Sequence, residues 1–222
     1  MRIHKWTLIN LGCVALLVCA AVPFAMHAIT RGSALGSAEE QASSRLFQDG
    51  AGLSNLSIYA HMVTGGIITV FTPFQLLAVV RKKWPRLHRM SGYVVAGTAL
   101  VTGIAGLMYI LLQGTVGGPL MSFAFALYGA LMVLCACQTV VLARARHPDH
   151  RLWAERLVIL ALASWFYRVH YGLWFSTVGG IGVEPDFSGW FDRIQVFAFY
   201  VPYLAVHEII WRWRKRGDAA LA

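Results

Sequence analysis

The chain has 222 residues, of which 58% are hydrophobic and only 13% charged. A water-soluble domain of this length carries about 25% charged residues, so a soluble globule is excluded. The net charge of +9 would suggest nucleic acid on a soluble surface, but with so little polar surface it points instead to a membrane topology.

A bilayer core of about 30 Å needs about 20 apolar residues in a helix. Six runs satisfy this: roughly 6–29, 56–80, 93–112, 121–142, 157–178 and 194–211. Helices satisfy their own backbone groups in lipid, so all six are expected to be helical. The fold class is therefore all-α: a polytopic integral membrane protein, six transmembrane helices in one bundle, forming a single domain over 1–222. The first run exceeds the about 7–15 apolar residues of a signal sequence, and Ala25, Met26, His27, Ala28 make a poor cleavage site, so an uncleaved first helix is expected.

Basic residues alternate between the two ends. Arg2, Lys5, Arg81, Lys82, Lys83, Arg86, Arg89, Arg144, Arg146, Arg151, Arg156, Arg212, Arg214, Lys215 and Arg216 fall on one side; Arg31, Arg45 and Arg193 fall on the other. That asymmetry places both termini in the cytoplasm. Trp6, Trp84, Trp153, Trp211 and Trp213 sit at the inner interface, with Trp174 and Trp190 at the outer one. The outer loop, 30–55, carries Ser37 three residues before Glu40, a capping-box pattern that predicts a short helix over 38–47. Pro23, Pro73 and Pro202 lie within spans and should kink them. The spacings Ala99 to Gly103 and Ala126 to Ala130 read as packing faces. Cys13, Cys19, Cys135 and Cys137 lie in apolar runs and read as small apolar residues; Cys135 and Cys137 point about 200° apart and cannot share a metal.

The second and fourth helices leave the membrane through similar text: Arg81, Pro85, His88, Arg89, and then Arg144, Pro148, His150, Arg151. This suggests a helical hairpin repeated in parallel orientation. With His61, then Pro73 and Gln75, then Gly92, and later Trp153, Arg156 and Arg168, these residues resemble a bacterial inner-membrane family, domain of unknown function 2306. The resemblance covers about 57–175 and departs at Tyr93, where the family has Arg. It implies a membrane fold and a set of site residues, without an assigned reaction.

Ionisable groups in hydrocarbon are functional candidates. They are His27 and His61 near the outer ends of helices one and two, Arg168 and His170 in helix five, His88 and His150 at inner helix starts, and His207 with Glu208 near the inner end of helix six. His61, Thr64, Gly65, Thr72 and Gln75 fall within about 60° of one direction and form a stripe that should face the bundle interior. The stripe serves either as interhelical glue or as a ligand or proton path. Arg168 and His170 lie about 200° apart and must meet different neighbours. Glu208 has Arg212 one turn on, a favourable pair.

Three functions fit. A haem b electron carrier takes axial ligands from facing helices: His61 with His170 or His27 in the outer half, His88 or His150 with His207 in the inner half. Its partners would be the bilayer and a redox protein, a quinone or another membrane subunit. A small-solute permeation path fits the polar stripe and the prolines. A non-catalytic membrane subunit or assembly factor also fits. No hydrolase, kinase or phosphate-binding motif is present, so an enzyme assignment stays open.

Overall fold

The computed structural model describes residues 5–220; Arg2, one of the basic residues counted above, lies outside them. The described chain forms α1 (Lys5–Ala34), α2 (Ala38–Ser43), α3 (Gly52–Phe71), a 3-10 turn (Thr72–Leu76), α4 (Ala78–Lys83), α5 (Pro85–Gln113), α6 (Gly118–Arg144), α7 (His150–Val178), α8 (Trp190–Ala198) and α9 (Val201–Ala220). Five segments are long and apolar enough to cross a bilayer: Lys5–Ala34, Gly52–Leu76, Pro85–Gln113, Gly118–Arg144 and Trp190–Gly217. The remaining expected span is α7. Its 29 residues give it the length of α5, but Arg168, His170 and a charged first turn dilute its apolarity.

Helices α3, α5, α6 and α7 pack in sequence, and α3 meets α7 to close a four-helix core. α1 lies on the α3 flank, α8 against α6, and α9 against α7. Short connections make successive core helices antiparallel. The bundle has a basic end, where α4, α5, α7 and α9 carry their cations, and a loop end formed by 35–51, 114–117 and 179–189.

Small residues set the closest approaches. A Cβ on Gly66 would stand 2.8 Å from the Ala25 carbonyl oxygen and 2.7 Å from Ile29. Gly103 faces Val133 and the Gly129 carbonyl, with Ala99 fully buried beside it, as the first small-residue spacing predicts. The second does not hold: Ala130 is exposed, and α6 turns Gly129, Met132 and Ala136 inward instead. Around them Tyr128, Tyr167, Phe125 and Phe199 make edge-to-face contacts, with Phe199 5.1 Å from both tyrosine rings.

The three prolines behave differently. Pro23 lies inside an uninterrupted α1. Pro73 sits where α3 gives way to the 3-10 turn, and the chain leaves helical geometry at Leu77. Asn10 of α1 repairs this break: its amide donates to the Leu76 carbonyl (3.2 Å), and its oxygen accepts from Ala78 N–H (2.9 Å). A backbone break at this depth needs such a partner. Pro202 opens α9 just after the Phe199–Tyr200 turn that separates it from α8.

At the loop end, Ser37 caps α2 by accepting from Glu40 N–H. This helix stops at Ser43 rather than at 47, because Ser44 is extended and its hydroxyl accepts from Leu46 N–H instead. Arg31 pairs with Glu40 at 2.9 Å. Arg45 donates to the Pro185 carbonyl (3.4 Å) and joins two loops. Hydrogen bonds from Ser188 hold the Asp186 carboxyl below its usual range and close a tight turn that presents Phe187 at φ 60°.

Candidate functional site

A cavity of about 320 Å³ lies in the loop-end half of the bundle, enclosed by α1, α3, α5, α6 and α7. His27, His61 and Arg168 reach it from α1, α3 and α7, each about 10–15 Å below its own helix end at 1.5 Å per residue. Leu46, Val116 and Phe187 cover it from the three loops.

His61 is the most tightly specified of the three. Its Nδ1 lies 2.9 Å from the Thr102 carbonyl oxygen on α5. A carbonyl only accepts, so Nδ1 carries the proton and Nε2 keeps its lone pair. Nε2 has no protein partner among the described residues. The ring can reach that carbonyl because residue 106, one turn on, is glycine: a Cβ there would stand 2.7 Å from Nδ1. Thr102 donates its hydroxyl to Thr64 (2.8 Å), which donates to the Ala60 carbonyl (2.5 Å). α3 and α5 are thereby locked around the imidazole, the arrangement that orients histidines in metal and haem sites.

Arg168 is anchored differently. It donates to the Ser164 carbonyl at 3.0 Å, and its guanidinium lies 4.6 Å over the Phe24 ring. Among the described residues no carboxylate pairs with it. His27 lines the same cavity and has no hydrogen-bond partner among those residues.

The other expected site residues lie elsewhere. His170 turns away from Arg168, as their angular separation predicts. Its Nε2 meets the Tyr203 hydroxyl at 2.7 Å, and its Nδ1 accepts from the Gln195 amide at 2.9 Å. With both nitrogens engaged toward α8 and α9, it does not face His61. Gln75 donates to Ser91 at 2.7 Å near the basic end. The stripe therefore divides by depth: His61 and Gly65 of α3 line the cavity, whereas Gln75 ties the 3-10 turn after α3 to α5.

At the basic end, one group of charges on α7 and α9 is partnered. Glu208 accepts from Arg156 (2.5 Å) and Arg212 (2.7 Å), with Arg156 4.6 Å over the Trp153 ring. His207 Nε2 meets Glu155 at 2.9 Å, and Arg151 bonds the same carboxylate. His150 Nδ1 lies 3.0 Å from the Thr139 carbonyl of α6. The buried Nδ1 atoms of His88 and His207 have no partner among the described residues. No hydrogen bond joins His88 or His150 to His207 among the described residues: His207 Nε2 meets Glu155, and His150 Nδ1 meets the Thr139 carbonyl.

All four cysteines are free, with Cys135 buried. No cluster of three or more His, Cys, Asp or Glu occurs among the described residues, so side chains alone offer no metal cage there. A tetrapyrrole supplies its own equatorial nitrogens and asks the chain for only one or two axial ligands.

Apolar spans around a mainly apolar cavity that holds His61 and Arg168 define a multi-pass helical membrane protein. The sequence model of the family described as predicted membrane protein, DUF2306, matches residues 58–211; the chain belongs to that family. The match includes the resemblance noted from 57 to 175 and extends into α9. No curated protein and no solved structure matches it.

Proposed function

We propose that this protein spans the bacterial inner membrane six times, with both termini in the cytoplasm, and binds haem b in the loop-end cavity as an electron carrier. α7 is the sixth span in this reading. The hairpins α3–α5 and α6–α7 repeat one plan, each entering its second helix through Pro, His and Arg. The observation that carries the haem reading is the His61 tautomer: Nδ1–H fixed on the Thr102 carbonyl leaves Nε2 free at the cavity. His27 is the partner ligand of choice, because it lines the same cavity while both nitrogens of His170 are engaged. Bound haem supplies one-electron chemistry; the chain orients the imidazole and excludes water through the three loops.

The volume of about 320 Å³ is at the low end of the roughly 300–1,000 Å³ of small-molecule sites. Haem insertion therefore requires α1 to move off α7, a seam with little contact. The test is a reduced-minus-oxidised spectrum of protein purified in detergent after haem supplementation. b-type bands support the reading, and a haem-free protein defeats it. Phosphatase fusions after Asp49, Gly118, Glu184 and at the C-terminus test the topology. The first three should be active; an active C-terminal fusion contradicts it.

A small-solute path remains as a second reading. It is favoured by the broken segments at Thr72–Leu76 and between α8 and α9, which resemble the interrupted helices of transporters.

A further inference from the structure

We infer that Arg168 is a built carboxylate site, and that the cavity takes an amphiphile with an apolar body and a carboxylate to meet it, reached from the lipid phase between α1 and α7. This does not depend on haem.

A guanidinium stays protonated inside proteins, and an unpaired charge at membrane depth is unfavourable even where, as at Arg168, the side chain is exposed beside Phe24. Four arginines have counter-ions in the chain: Glu40 for Arg31, Glu155 for Arg151, and Glu208 for Arg156 and Arg212. Arg168 has none among the described residues. What holds it is one carbonyl, Ser164, and the face of Phe24. Stacking on a ring leaves the edge of the guanidinium free, and only one of its five N–H donors meets that carbonyl. That edge matches the two oxygens of a carboxylate.

The surroundings specify the rest of the ligand. Met62, Ile110, Phe125 and Met132 give the cavity an apolar wall. Leu46 and Phe187 line it toward the loop end. α1 packs on α3 and makes little contact with α7, and Phe24 over Arg168 closes that seam. A molecule already dissolved in the bilayer would slide between these two helices and meet Arg168 there.

Two sources supply this chemistry: a free fatty-acid-like amphiphile, or the propionates of haem. Scintillation-proximity binding of tritiated dodecanoate to purified protein, with unlabelled dodecanoate or dodecan-1-ol as competitor, tests the first. Haem b against its dimethyl ester, read by absorption, tests the second. The acid should compete at about tenfold lower concentration than the alcohol, or haem b should be retained while its ester is not, as a charge-assisted pair implies. Arg168→Gln should bring the preference close to one, and Arg168→Lys should keep part of it. If Arg168→Gln fails to fold, the wild-type ratio and the Lys variant decide. Protein that binds neither probe, or treats acid and alcohol alike and haem and ester alike, overturns the inference. Absence of haem binding with a persistent acid preference defeats the haem reading alone.

Discussion

The two ends of this bundle use the same residue types to opposite effect. At the basic end, Arg156, Arg212, Glu208, Glu155, Arg151 and His207 neutralise one another in a network that ties the start of α7 to α9. At the loop end, His27, His61 and Arg168 share a cavity with no carboxylate among them. Partnered ionisable groups behave as structure; groups that a fold positions without partnering await a ligand. His61 shows the distinction within one ring, with Nδ1 committed to α5 and Nε2 free.

The largest effect should come from parting the cavity wall. Gly66→Val puts a branched side chain against the Ala25 carbonyl and Ile29. Overpacking of this kind costs about 1–3 kcal/mol or more, and α1 should detach from α3. Fluorescence-detected gel filtration should show loss of the monodisperse peak on mild heating. Gly97→Ala, with nothing within 4 Å of the added carbon, should melt like wild type.

Gly106→Ala comes next and acts on the site alone. The new Cβ displaces the His61 ring from the Thr102 carbonyl. Bound ligand should be lost or its spectrum changed, with a small change in melting. Retention of an unaltered spectrum would mean the His61 tautomer does not matter.

At the basic end, Arg156→Ala should lower stability by about 1–2 kcal/mol, reduced from the buried-pair figure by partial exposure, and should leave cavity binding untouched. His170→Phe removes hydrogen bonds to Tyr203 and Gln195 and should lower stability by about 1 kcal/mol, again with no spectral change. A shift in the ligand spectrum would bring His170 back into the site and break the partition. The smallest effect is that of His147→Ala: in its exposed loop the substitution should change neither melting nor binding.

Much of this division is legible before folding. The interior stripe on α3 follows from helical angles alone, and so does the separation of Arg168 from His170. The pairing of Glu208 with Arg212 follows from their one-turn spacing. What sequence spacing cannot supply is the meeting of distant elements. That His61 and Arg168 face one cavity depends on α3 closing against α7. The role of Gly106 depends on a ring from another helix, and Asn10 matters only because α1 passes the break near Pro73. Of the small pair, Ala130 points outward and Ala126 is half-buried, because periodicity marks a face without saying which neighbour it meets.

The most direct test of the account is the absorption spectrum of His61→Ala protein, purified after haem supplementation alongside wild type and His147→Ala. The expected result is loss or conversion of the b-type signal in His61→Ala, with wild type and His147→Ala identical. An unchanged spectrum and redox midpoint in His61→Ala would contradict the assignment of Nε2 as the ligating atom of this cavity.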